Sequence, residues 1–560
     1  MFSIKLFVPY RGICGLAVSN QLTGTMKKLL LTGILLSGFL FPLSKPLSAE
    51  PFHHKVDSLL ISTTDHKKFK ILQQDFKSGP EVTKACLTCH TEASKQLHRT
   101  RHWTWDVPMK KGERLGKKNV VNNFCISVEG NEPRCTSCHI GYDWKDKNFN
   151  FKSEENVDCL ACHDMTGTYK KLPAGAGHPA YFDTVFEKKL YPKVNLSYVA
   201  QRVGQPDRHN CGICHFEGGG ADAVKHGDLD NSLLKPDREL DVHMAIGKKD
   251  LNMTCADCHK TEGHQVPGSR YTPEAHDTHG FDYPLTDNNP ATCSSCHGLK
   301  PHKKLKKLND HVARVACQTC HIPFIAKQRP TKMWWDWSKA GKFDKNGKEI
   351  TIKDSSGCVL YVSKKGAFRW AKNVAPEYRW FNGEMNYTTF NTQINDRKVV
   401  SVNHPDGAAN DTLSRIWPFK VHRGMQPYDP VLKRFVKPIV YGPKGSGAYW
   451  SDFNWDKSIR KGMENAGLEY SGKYAFVETE MYWPISHMVS PKEKSLSCKE
   501  CHSRNGRLQN LSGFYLMGRD TNPFVEYFGL LAISGSLIGV IIHSIIRYFT
   551  VKKLKKAGGL

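Results

Sequence analysis

The run Cys211-Gly-Ile-Cys214-His215 places two thiols one helical turn apart with an imidazole directly behind them, and the pattern returns seven times. The other runs are Cys86-Leu-Thr-Cys89-His90, Cys135-Thr-Ser-Cys138-His139, Cys159-Leu-Ala-Cys162-His163, Cys255-Ala-Asp-Cys258-His259, Cys293-Ser-Ser-Cys296-His297, Cys317-Gln-Thr-Cys320-His321 and Cys498-Lys-Glu-Cys501-His502. They take up 16 of the 19 cysteines and leave Cys14, Cys125 and Cys358. C-x-x-C pairs also build zinc ribbons and disulfides, but neither needs the following histidine. With 26 His in 560 residues, chance puts one behind a given pair about 5% of the time, and behind all eight with odds on the order of 10⁻¹¹. Only c-type haem attachment uses all three side chains: the thiols add to the porphyrin vinyl groups and the histidine ligates the iron. The sequence thus implies eight covalent haem c groups.

That reading accounts for the composition. Apolar residues make up 39% of the chain, little for this length, and porphyrin faces supply apolar surface that aliphatic side chains would otherwise provide. The 12 Trp, 20 Tyr and 27 Phe exclude a disordered coil. So many thiols exclude a reducing cytosol, and haem attachment of this type takes place outside the cytoplasm. The formal charge is +26, and sixteen haem propionates would lower it to about +10. The basic balance is therefore internal compensation, and no nucleic-acid partner is implied.

The motif histidines are spaced 49, 24, 52, 44, 38, 24 and 181 residues apart. Residues 50–321 are read as the multihaem region carrying haems 1–7, with room only for short helices joined by loops. Residues 322–515 hold the eighth motif and nine of the 12 tryptophans and are read as a covering region packed on the haems; 516–523 form a linker. The expected fold is mainly α, with short helices and loops around a stack of eight haems and one C-terminal transmembrane helix.

At the N-terminal end, residues 26–49 have the charged start, apolar stretch and small-residue cleavage site of a signal peptide, and 1–25 read as an upstream extension from a misassigned start. Residues 524–549 form an apolar run long enough to span a bilayer, and the basic tail 550–560 places the C-terminus in the cytoplasm. The haem domain is then expected at the periplasmic face of the inner membrane. His543 lies inside the span and is a functional candidate by default; the plainer reading is a side chain reaching the interface. One helix cannot hold a quinol site alone, so a cytochrome b-type quinol dehydrogenase is the membrane partner the anchor calls for.

A haem that only carries electrons has two strong protein ligands, whereas a catalytic haem keeps an exchangeable position. Setting aside His53, His54, His66 and His543 by position, the distal candidates are His102, His226, His243, His264, His279, His311, His422 and His487. His98 is an alternative to His102, while His276, His302 and His404 read equally well as surface residues.

Four local runs carry a resemblance: Asn122-Asn-Phe-Cys125-Ile126, Gly141-Tyr-Asp-Trp-Lys-Asp146, Cys162-His-Asp-Met-Thr-Gly-Thr-Tyr-Lys-Lys171 and Gly219-Gly-Ala-Asp222-Ala-Val-Lys225-His226-Gly-Asp228. With eight motifs in this order, the chain resembles the octahaem tetrathionate reductase family over about residues 80–515. The resemblance implies that the second haem is ligated by a lysine amine although its motif is an ordinary C-x-x-C-H. Carried over, that lysine is Lys225, with Asp222, Cys125 and Asn122 near it. The C-terminal anchor departs from the soluble pattern of the family and implies a different electron donor.

The function implied is a periplasmic oxidoreductase that reduces tetrathionate to thiosulfate, or nitrite or hydroxylamine, at haem 2 while the other haems relay electrons. A non-catalytic electron conduit and a hydroxylamine oxidoreductase-like oxidase are the alternatives. A nitrite reductase with a C-x-x-C-K haem is disfavoured, because all eight motifs end in His.

Overall fold

Short helices carry the motifs. In the computed structural model, which describes residues 64–109, 112–268 and 292–558, the first motif begins in α1 (Gly79–Leu87) and the whole fourth motif lies in α2 (Arg208–His215). The stretches read as an upstream extension (1–25) and a signal peptide (26–49), and His279, fall outside the described residues. Asp207 caps α2 by accepting from His209 N at 2.7 Å and Asn210 N at 3.2 Å, while Asn210 Oδ1 accepts from Asp207 N at 2.9 Å. This reciprocal box satisfies the orphaned amides of a helix too short to persist alone. Tertiary contacts supply the rest: Tyr142 and Tyr169 hydroxyls donate to opposite oxygens of buried Asp158 at 2.7 and 2.9 Å, and Lys171 pairs with that carboxylate at 2.9 Å.

The expectation of a mainly α protein is corrected downstream of the seventh motif. There the chain builds one ten-stranded mixed sheet: β1 (Thr331–Asp336), β2 (Thr351–Lys353), β3 (Val359–Val362), β4 (Gly366–Ala371), β5 (Glu377–Phe381), β6 (Met385–Tyr387), β7 (Val400–Pro405), β8 (Arg415–Asp429), β9 (Arg434–Phe435) and β10 (Ala475–Pro484). The order is β6-β7-β10-β8-β1-β4-β3-β2, with β5 and β9 also paired to β8. Most pairs are antiparallel; β7/β10 and β8/β1 are parallel. Tryptophan, tyrosine, phenylalanine, valine and threonine suit pleated, half-buried surfaces better than short helices, which is why a haem-free stretch rich in them forms strands.

The fifteen-residue β8 is the spine, buried along most of its length. Its Gly424 is needed for close approach: a Cβ there would stand 2.4 Å from Trp335 O on β1. Between β1 and β4, Lys332 pairs with Trp370 but Trp334 pairs with Arg369, so Met333 is an extra residue. This bulge puts Lys332 on the same face as Trp335, Phe368 and Trp370. That face carries the largest apolar core, into which Val121, Phe124, Ile126 and Val224 pack from the haem region. Trp337 Nε1 donates to Phe124 O at 3.1 Å, Asn123 Nδ2 to His422 O at 3.0 Å, and Thr331 Oγ1 to Ala223 O at 2.7 Å. The sheet thereby clamps two loops, 121–126 and 218–226, against one another.

The C-terminal helix, α3 (Pro523–Lys556), is 34 residues long and is capped by Asn522, whose side chain accepts from Phe524 N and Val525 N. Among the described residues it alone is long and apolar enough to cross a membrane, and its apolar side chains stand exposed.

Candidate functional site

Seven of the eight motif histidines face a second histidine. Ring centroids are 6.4 Å apart for His90 and His66, 6.4 Å for His163 and His264, and 6.2 Å for His215 and His102. They are 6.3 Å apart for His259 and His487, 6.0 Å for His297 and His243, 6.3 Å for His321 and His302, and 6.2 Å for His502 and His311. A metal–imidazole bond of about 2 Å on each side, plus roughly 1 Å from nitrogen to ring centre, gives about 6 Å, so each pair fits one iron. Three motif histidines have Nδ1 tied back, His163 to Gly204 O (2.7 Å), His259 to Pro267 O (2.9 Å) and His502 to Met517 O (3.1 Å). That leaves Nε2 for a metal. Of the distal candidates, His102, His243, His264, His311 and His487 stand opposite a motif histidine. His226 and His422 do not. His66, set aside by position, and His302, read as surface, occupy two of the seven places.

The motif thiols form a continuous series. Cys86 lies against Cys159, Cys211 against Cys255, and Cys293 against Cys317. Cys162 and Cys211, Cys258 and Cys296, and Cys320 and Cys501 lie within electrostatic reach of each other. The motifs therefore run 1-3-4-5-6-7-8, and the second joins from the side, with Cys138 against Cys214 of the fourth.

The second motif breaks the histidine pattern. His139 is fully buried among Trp103, Trp105, Trp144 and Phe149, with centroids 4.7–5.5 Å away. Its Nε2, the atom that would bind iron, lies 2.7 Å from Trp103 O. No second histidine ring stands opposite it among the described residues.

Near this motif stands Lys225, its Nζ 5.9 Å from the ring centres of both Phe124 and Trp483 and within electrostatic reach of Cys138. His226 packs on Trp483 at 4.8 Å and His422 on Phe124 at 4.7 Å. The turn carrying Lys225 needs Gly219, at φ +87°, where a Cβ would also stand 2.7 Å from Val224 Cγ1. Buried Lys420 hydrogen-bonds that turn, donating to Val224 O at 2.9 Å, Lys225 O at 2.8 Å and Thr331 Oγ1 at 2.6 Å. Asp222 accepts from Asn231 N at 2.9 Å and stands 3.9 Å from Arg329 Nε. Asn122 spends its side chain on its own loop: Oδ1 accepts from Phe124 N and Cys125 N, both at 3.0 Å. This tight turn, which holds Ile126 at φ +69°, presents half-buried Cys125 near Cys135. Cys358, also half-buried, lies beside Ser356.

Sequence reasoning did not single out the lysines around Cys125. Lys332 is 5% exposed, and its Nζ lies 3.6, 4.2 and 5.0 Å from the ring centres of Phe368, Trp335 and Trp370. Half-buried Lys365 stands 5.0 Å over Trp450. Burial, and then Lys365, hold Lys332 well below the usual lysine range, with Cys125 opposing the shift; burial likewise lowers Lys365 and Lys420. A lysine at the head of the aromatic run Lys332-Met-Trp-Trp-Asp-Trp337 was the available signal.

Paired imidazoles at iron-spanning distance behind C-x-x-C pairs define a c-type cytochrome with covalently attached haem. The comparisons agree. The family model described as "Cytochrome c bacterial" matches residues 332–505. An octaheme cytochrome c from Shewanella oneidensis superposes with a TM-score of 0.69 at 45% identity, covering 79% of this chain and 95% of that one. The chain belongs to this family of octahaem c-type cytochromes. No curated protein sequence matches it.

Proposed function

We propose that the protein is a membrane-anchored periplasmic reductase that passes electrons through eight covalent haems and reduces tetrathionate to thiosulfate at the second haem. In this reading Lys225 supplies the amine ligand and His139, withheld by Trp103, does not bind the iron. The observation that carries it is the single exception: seven motif histidines face another histidine, and His139 commits its Nε2 to a carbonyl. A conduit of eight equivalent carriers has no use for such an exception.

When bound, the haem supplies electrons and a Lewis-acidic position that substrate can reach. The chain does the rest. Lysine ligates a metal only as the free amine, a state that apolar surroundings such as Phe124 and Trp483 favour. Lys420 and the glycine turn hold that amine in place. Cleaving the central S–S bond of tetrathionate takes up two electrons and releases two thiosulfates without consuming a proton. Such a reaction asks for cations that hold a dianion rather than for a proton donor. Nitrite and hydroxylamine reduction both consume protons, which favours the sulfur substrate in a site rich in lysine. The helix α3 gives the haem chain a route to a cytochrome b-type quinol dehydrogenase in the inner membrane.

Steady-state turnover of the purified holoprotein with a reduced dye tests the reading. Tetrathionate reduction is expected; turnover of nitrite or hydroxylamine alone would replace the substrate, and turnover of none would leave the conduit.

A further inference from the structure

We infer that Lys332 and Lys365 form an anion subsite beside Cys125 that grips the far end of an extended dianionic substrate, while its near end meets the second haem. The inference rests on the proposed function for the position of the reacting end, and on independent geometry for the subsite. Lys332 is 5% exposed, yet its ammonium meets three ring faces and no carboxylate or carbonyl among the described residues. Ring faces compensate a buried cation only in part, and an uncompensated charge in a core is destabilising. The sheet nonetheless goes out of its way to keep it there: without the extra residue Met333, Lys332 would fall on the opposite face from Trp335.

The surroundings add to this. Lys365 is close enough for the two ammoniums to repel, and both feel Cys125. Phe124, whose ring lies 6.4 Å from that of Trp335, is also 5.9 Å from the Lys225 Nζ. Two positive sets thus adjoin the Phe124–Cys125 turn, the Lys332–Lys365 ammoniums and the iron of the second haem, to which Lys225 contributes a neutral amine. A small monoanion satisfies one set only. A rod-shaped sulfur oxyanion with a charged group at each end satisfies both, with its central bond beside Cys125 and the haem. Lys332 and Lys365 are in this account substrate-positioning and specificity-determining residues.

The test uses the full holoprotein and three variants, Lys332→Met, Lys365→Met and Lys332→Arg. Calorimetric titration of the oxidised protein with tetrathionate is expected to give at least about tenfold weaker binding for each methionine variant and partial rescue by arginine. The KM for tetrathionate should rise in parallel with kcat within about twofold, and turnover of hydroxylamine, which is uncharged at neutral pH, should stay within about twofold of wild type. Because an unpaired buried charge is removed, Lys332→Met should keep its haem content and unfold at a higher temperature than wild type. Unchanged tetrathionate binding, an equal effect on hydroxylamine, or a lower unfolding temperature with a shift in one haem potential would each overturn the subsite; the last would mean that Lys332 pairs with a haem propionate. Tetrathionate that binds wild type, binds Lys332→Met more weakly and is not reduced would sink the proposed function and leave the subsite standing.

Discussion

The Lys420 ammonium donates to the backbone carbonyl of Lys225 at 2.8 Å, so the turn bearing the proposed iron ligand hangs from the central strand of the sheet. Lys420→Met leaves two carbonyls and the Thr331 hydroxyl without this donor, at a cost of about 2 kcal/mol. Thermal unfolding should record that loss, and turnover should fall about tenfold as Lys225 loses its fixed position. Wild-type turnover with an unshifted spectrum for the second haem would show that the turn holds its own shape.

Lys225→Ala should change the magnetic spectrum of one haem and lower turnover, leaving the seven histidine-paired haems as they were. A spectrum indistinguishable from wild type would remove Lys225 from the iron.

Intact-mass spectrometry of the mature protein should find eight covalent porphyrins. A mass short by even one would show that one of the motifs does not bind haem.

Asp106 offers a pH test. Burial opposes its ionisation, but hydrogen bonds and ion pairing from Arg114 and Lys118 hold its carboxyl below the usual range. A carboxyl depressed in the folded state stabilises above its unfolded pKa of about 3.9, and the contribution disappears as pH falls through the lower folded value. Wild type should therefore unfold at a higher temperature than Asp106→Asn at neutral pH, and the two curves should converge below about pH 4. A gap that persists into acid would trace the difference to packing instead.

Deleting residues 522–560 removes α3 and should release a soluble protein that still turns over with dye but no longer accepts electrons from membrane quinol. Undiminished quinol-dependent activity would reduce the helix to a tether and remove any electron-transfer role for His543.

The attachment residues were legible because they act on their immediate neighbours: a thiol, a thiol and an imidazole within five positions. The partners opposite were less so. His66 and His302 reach their motif histidines through space, and nothing local distinguishes His302 from a surface residue. The sheet was partly legible. In β10, Val477, Thr479 and Met481 are buried and alternate with the less buried Glu478 and Glu480, a two-residue period that sequence displays. In β8 it is hidden, because burial on both faces, two prolines and Gly424 erase the alternation. The exception at the second motif was not legible in the motif itself, which is spelled like the other seven; the resemblance alone pointed to that haem, and the hold of the Trp103 carbonyl on His139 was not foreseen.

The side entry of the second motif, through Cys138 and Cys214, would make a haem on the fourth motif a junction rather than a relay stop. A terminal site would receive charge from one direction only. Here the row of motifs extends away from the fourth both ways, toward the first and toward the eighth. In the proposed reaction both arms can hold reducing equivalents while the substrate arrives, so the two needed to split the central S–S bond need not travel together from a distant donor. Cutting the row beyond the junction would isolate one arm, whereas losing the fourth haem would silence the site from both sides at once.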